Sequence, residues 1–150
     1  MKRLLIFILF PILVNAQANL KTSYKADWLT DYDLAVEKAD EAGKNVLVYF
    51  TGSDWCPPCK MLKADLFETD EFQSLSQNYV LLYIDIPRNQ DLISEGQMKH
   101  NKELMYKLNR KGVFPMIKIL NPKGKELDEI SGYSMNGEIK YHLEVLKKHQ

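Results

Sequence analysis

Two runs of consecutive apolar, β-prone residues dominate the chain, "NVLVYF" at Asn45–Phe50 and "YVLLYIDI" at Tyr79–Ile86. Neither alternates with polar residues, the pattern of a strand buried on both faces. Around them apolar positions recur at helical spacing. Thr30 or Asp31 can cap a helix through about Ala42, with Leu34, Ala35, Ala39 and Ala42 on one stripe and Gly43 as the stop. Cys56 to about Leu66 predicts a helix with Met61, Leu62 and Leu66 on one side, and Thr69 or Asp70 caps a short one to about Gln77. A polar connection leads to a helix at Asn101–Asn109. "MIKIL" (Met116–Leu120), a turn at Asn121–Gly124 and a strand at Glu126–Ser131 predict a hairpin, and Asn136–Lys148 a terminal helix. A βαβ half followed by a ββα half gives an α/β fold, a central mixed sheet flanked by helices on both faces.

The N-terminus follows another logic. Lys2 and Arg3 precede an apolar run, Leu4–Val14, broken only by Pro11, and then "NAQA". That is the order of a secretory signal peptide, with cleavage expected after Ala16 or Ala18. Eleven residues fall short of the roughly 20 that a spanning helix needs. No cysteine follows the run to carry a lipid anchor. The expected division is residues 1–18 as signal peptide and 19–150 as one domain, periplasmic or secreted, without stable membrane insertion after cleavage. A chain of that size can bury a real core. The charges are 20 basic against 20 acidic, and 18 against 20 without Lys2 and Arg3. Such a balance gives no electrostatic case for nucleic acid or an anionic membrane.

Both cysteines, Cys56 and Cys59, lie in "TGSDWCPPCK". A zinc site needs four ligands, and none of His100, His142 or His149 stands at ligand spacing, so no metal is expected. A purely structural bridge between residues three apart closes almost no loop and removes little unfolded-state entropy. The third reading is a redox-active pair. The residues favour it and leave the other two standing. Cys56 would open a helix behind a buried strand, where unpaired N–H groups and the helix dipole favour a thiolate. Pro57 and Pro58 fit the first helical turn, where a missing N–H costs least. Trp55 reads as a ring bordering the site.

"VLVYFTGSDWCPPCK" resembles the strand–WCxxCK–helix segment of the thioredoxin superfamily. "GVFPMIKIL" is similar to its segment bearing a cis-proline, and "GKELDEISGY" to its terminal hairpin and glycine. The likeness covers roughly Ala26 to Lys148 and looks most like extracytoplasmic bacterial members. It implies a thiol–disulfide oxidoreductase whose only redox group is the Cys56–Cys59 couple, with no added cofactor. Cys56 would be the nucleophile and the more exposed thiol, Cys59 the resolving thiol. Phe114–Pro115 would be the cis peptide facing the sulfurs, and the Phe114 backbone would hold a substrate strand by β-type hydrogen bonds. Strong oxidants of the family tend to carry histidine where Pro58 stands, so a reductant of protein disulfides is expected. It would act as a monomer on client proteins, recharged by a membrane electron-relay protein. A disulfide oxidase or isomerase with the same site, and a non-catalytic binding module with an inert bridge, are the alternatives.

Two departures qualify the resemblance. Many members carry a buried carboxylate where Tyr49 stands, with Tyr83 opposite it here. A tyrosine, with a pKa near 10, is a poor base at neutral pH, which leaves water or an exposed Asp54 to take the resolving proton. The stretch Pro87–His100 is longer than the usual link and leaves from the carboxyl end of a strand, where ligands of open α/β sheets bind.

Overall fold

The structure, a computed structural model, describes residues 26–150; the segment read as a signal peptide lies outside the described residues. In chain order the elements are β1 (Trp28–Leu29), α1 (Tyr32–Ala42), β2 (Asn45–Thr51), α2 (Pro57–Leu62), α3 (Asp70–Ser76), β3 (Tyr79–Asp85), α4 (Glu95–Leu108), β4 (Met116–Leu120), β5 (Glu126–Ser131) and α5 (Lys140–Lys148). A π-helical turn, Lys63–Phe67, prolongs α2. The sheet order is β1-β3-β2-β4-β5. β1, β3 and β2 run parallel, and β4 and β5 return antiparallel. This is the mixed sheet that the apolar pattern predicts.

β2 shows why its residues do not alternate. Leu47 and Tyr49 point into a core closed by α2, α3 and α5, through Leu62, Phe72 and Leu146. Val46, Val48 and Phe50 point into the opposite core, closed by α1 and α4 through Ala35, Ala39 and Leu104. Successive side chains of a strand face opposite ways, so burial on both faces demands apolar residues at every position. The first core holds an aromatic cluster. Phe72 stacks on Trp28 at 6.1 Å and meets Phe67 edge-on at 4.8 Å. Lys118, an ammonium on buried β4, is held by Glu126 at 2.6 Å and Glu129 at 2.7 Å, both from β5. The sheet's edges are β1, only two residues long, and this acid-bearing β5.

Three boundaries differ from the sequence pattern. β1 is too short to leave a periodicity. α4 begins at Glu95 rather than Asn101, because the Ser94 hydroxyl caps the Gln97 N–H at 3.2 Å. Much of the Pro87–His100 stretch is therefore helix, and the true connection is Pro87–Ser94. α5 begins at Lys140 rather than Asn136. The Asn136 carboxamide oxygen accepts the Ser134 hydroxyl at 2.8 Å and the Glu138 N–H at 3.1 Å, a local turn that competes with helix.

One ion pair gives the fold an acid dependence. Asp128 on β5 accepts a hydrogen bond from Lys148 Nζ at 2.8 Å and lies 2.9 Å from His149 Nε2. The Lys148 bond first, and His149 next, hold its carboxyl down to about 2. A depressed folded pKa gives stability that is complete above the unfolded value of about 3.9 and is lost as pH falls through the folded one. Urea midpoints of the native chain should therefore drop more steeply between about pH 4 and pH 2 than those of D128N. Parallel declines would refute this.

Candidate functional site

Cys56 and Cys59 form a disulfide with S–S 2.09 Å and Cα–Cα 5.3 Å. Cys56 is the N-cap of α2, and its Sγ accepts the Cys59 N–H at 3.3 Å. Pro57 and Pro58 fill the first two helical positions and have no N–H to donate. The sulfur thus takes one donor where an ordinary first turn would offer more. The resemblance implied that Cys56 is the more exposed thiol; in the disulfide form both residues are nearly closed off, at 3% and 1% exposure.

The loop before Cys56 is fixed by its neighbours. The Trp55 indole N–H donates to the Ile86 carbonyl at 2.7 Å. Its ring meets Phe114 edge-on at 5.4 Å, and the Arg88 guanidinium lies 4.8 Å above it. A Cβ on Gly52 would fall 2.2 Å from this ring, so glycine is what lets Trp55 lie there. The Phe114–Pro115 peptide is cis, and the Pro115 carbonyl accepts the Gly132 N–H at 2.8 Å. Asn109 shapes the approach to that peptide: its side chain donates to the Val113 carbonyl at 2.9 Å and accepts the Val113 N–H at 3.1 Å. Trp55, Phe114, Pro115 and the cysteines are thereby gathered at one end of the sheet.

Asp54 is engaged by backbone. Its carboxylate accepts the Arg88 N–H at 3.0 Å and the Asn89 N–H at 2.9 Å. These bonds, the Asn89 one foremost, hold its carboxyl below the usual carboxylate range. The residue is a clamp between the cysteine loop and Pro87–Ser94, and a carboxyl held low is a weaker acceptor for a thiol proton.

Tyr49 is both core and site. It pairs with Tyr83 across β2 and β3, and its hydroxyl donates to the Cys59 carbonyl at 3.1 Å. Burial above all, with the nearby Asp85 charge, pushes its phenol up to about 12; burial raises Tyr83 as well. Beside Cys59 lies a cavity of about 310 Å³ whose wall includes Tyr49, Thr51, Ser53 and Tyr83. Asp85, buried at the end of β3, accepts the Ser53 N–H at 2.8 Å and, on its other oxygen, the Ser53 hydroxyl. The pattern reading passed over Asp85, Ser53, Arg88, Gly52 and Asn109. For Asp85 a signal existed, a carboxylate set inside an otherwise apolar strand run.

The histidines lie apart: His100 Nε2 accepts the Tyr32 N–H at 3.3 Å, His142 packs on Tyr133 at 5.8 Å, and His149 pairs with Asp128. Among the described residues no group of three or more His, Cys, Asp or Glu could hold a metal ion, and no helix is long and apolar enough to cross a membrane.

Residues 27–122 match a family described as Thioredoxin-like. The chain is 27% identical over 115 residues to a protein named disulfide bond reductase DsbH of Chlamydia pneumoniae, covering 76% of this chain and 68% of that one. It is 30% identical over 99 residues to a thioredoxin of Pongo abelii, covering 64% and 76%. A solved structure titled DsbH oxidoreductase superposes with a TM-score of 0.69 at 22% identity, over 84% of this chain and 87% of the other.

Proposed function

The chain belongs to the thioredoxin-like family, and from that premise we propose that it is a thiol–disulfide oxidoreductase that reduces protein disulfides outside the cytoplasm. Cys56 attacks the client disulfide, and Cys59 resolves the resulting mixed disulfide. Trp55 and the Phe114 backbone before Pro115 form the surface that holds the client strand. Residues 1–18 direct the chain out of the cytoplasm, and 19–150 act as a monomer. Since cytosolic NADPH does not reach that compartment, a membrane electron-relay protein restores the dithiol. The disulfide bond reductase DsbH of Chlamydia pneumoniae supports this reading by its likeness.

The observation that carries the direction of electron flow is the donor count at Cys56. One N–H reaches its sulfur, from Cys59, and Pro57 and Pro58 supply none. A thiolate with fewer donors is less stabilised, which raises the nucleophile's pKa and makes the dithiol a better reductant. Equilibration against glutathione, with trapping of the thiols, should give a potential nearer thioredoxin, about −270 mV, than the strong periplasmic oxidant at about −120 mV. A value above about −180 mV, that of protein disulfide isomerase, would overturn the reductase reading in favour of an oxidase or isomerase.

A further inference from the structure

Resolution requires Cys59 to lose a proton while it is buried. The groups around its cavity divide sharply in their ability to take one. Tyr49 and Tyr83 are phenols pushed further from ionisation by burial. Lys60 and Lys63 have no acceptor. Glu68 is largely exposed and paired with Lys63 at 3.4 Å. Asp54 lies outside this cavity wall, where its carboxylate is engaged by the Arg88 and Asn89 N–H groups. What remains is Asp85, 7% exposed, reached through Ser53. A serine has one hydroxyl proton and two lone pairs. Ser53 gives its proton to Asp85, so its oxygen is free to accept from the cavity that Cys59 also lines. Asn101 of α4 fixes the far side, donating to the Asp85 carbonyl at 2.8 Å. The cavity volume, about 310 Å³, admits several waters at roughly 30 Å³ each.

We propose that Ser53 and Asp85 are the proton outlet of the resolving cysteine, a carboxylate on β3 working through a hydroxyl in place of one on β2. This rests on the reading of Cys59 as the resolving thiol. In the step, the Cys59 S–H bond breaks and its proton passes through cavity water to Ser53 Oγ, as the Ser53 hydroxyl proton moves to Asp85. The Cys59 thiolate attacks Cys56 Sγ and a Cys56–Cys59 bond forms. The Cys56–client bond breaks, and the client sulfur leaves with the electron pair and takes a proton from solvent. Over attack and resolution together, the cysteine pair is oxidised by two electrons and the client disulfide reduced by two. Asp85 then returns its proton to solvent along the same path. Both residues are positioning residues, acting on Cys59 through water.

Stopped-flow mixing of the reduced protein with dithiobis(nitrobenzoate) reads the two half-steps separately. The first thionitrobenzoate released reports attack by Cys56, and the second reports resolution by Cys59. D85N should slow the second release about a hundredfold at pH 7, the low end for a proton acceptor, with a deficit that shrinks toward about pH 9. The first release should stay within about twofold. S53A should behave likewise and carries the test if D85N does not fold. Three results overturn the inference. An unchanged pH profile for the second release means that the outlet lies elsewhere. A faster second release means that Asp85 acts only as a charge repelling the thiolate. Equal slowing of both releases means a structural role. If the native protein shows no second release at all, the proposed function fails instead.

Discussion

C56S should lose catalysed insulin reduction entirely, falling at least about a hundredfold to the uncatalysed background, a barrier increase of about 2.7 kcal/mol or more. Serine cannot form the mixed disulfide, and its hydroxyl is not ionised at neutral pH. Cys59 should not substitute, because in the proposed mechanism it is the resolving thiol and does not attack the client. C59S should fail differently. Attack by Cys56 survives, the resolving step does not, and client proteins accumulate as mixed disulfides visible on non-reducing gels. Turbidity of dithiothreitol-treated insulin measures the first effect. If C56S still accelerated precipitation, the assignment of the nucleophile would be wrong. A native protein with no acceleration at all would point to a binding module with an inert bridge.

Phe72→Ala should be the most damaging single truncation outside the cysteines. Phe72 is fully buried and packs on both Trp28 and Phe67, which also meet each other at 5.3 Å. It therefore ties β1, α3 and the π-helical turn after α2 into one cluster. Phenylalanine-to-alanine changes at such sites cost about 3–5 kcal/mol, because the lost contacts add to a cavity that rigid neighbours cannot fill. Against a typical total of about 5–15 kcal/mol, this should lower the urea midpoint severely and the melting temperature by more than about 10 °C. Chemical denaturation with an unchanged m-value checks it. A loss below about 1 kcal/mol, no more than an average substitution costs, would show that the cluster is not the keystone assigned to it.

What the sequence made legible follows from what local pattern can encode. β2 and β3 were legible because burial on both faces leaves an unbroken apolar run. The cysteine pair was legible because its chemistry depends on near neighbours in the chain. β1 was not, since two residues acquire meaning only from pairing with Leu81 and Leu82. The first half of α4 was not, because "EGQMKH" is mostly solvated and Ser94 alone marks its start. The clamp made by Asp54 was not legible, because the two N–H groups it holds come from Arg88 and Asn89, more than thirty residues away. Asp85 reads as a blemish in an apolar strand until Ser53 is folded onto it.

The two margins of the sheet bear on how the protein behaves in a crowd. An unpaired strand margin is a template on which a foreign strand can add, the start of aggregation. Here one margin ends in a strand of two residues among those described, Trp28 and Leu29. The other carries Glu126 and Glu129 pinned to Lys118, and Asp128 pinned to Lys148. An unfolded polypeptide laid along β5 would crowd charges already held in place. If the protein meets partly folded clients, as proposed, these margins shield it from polymerising with them.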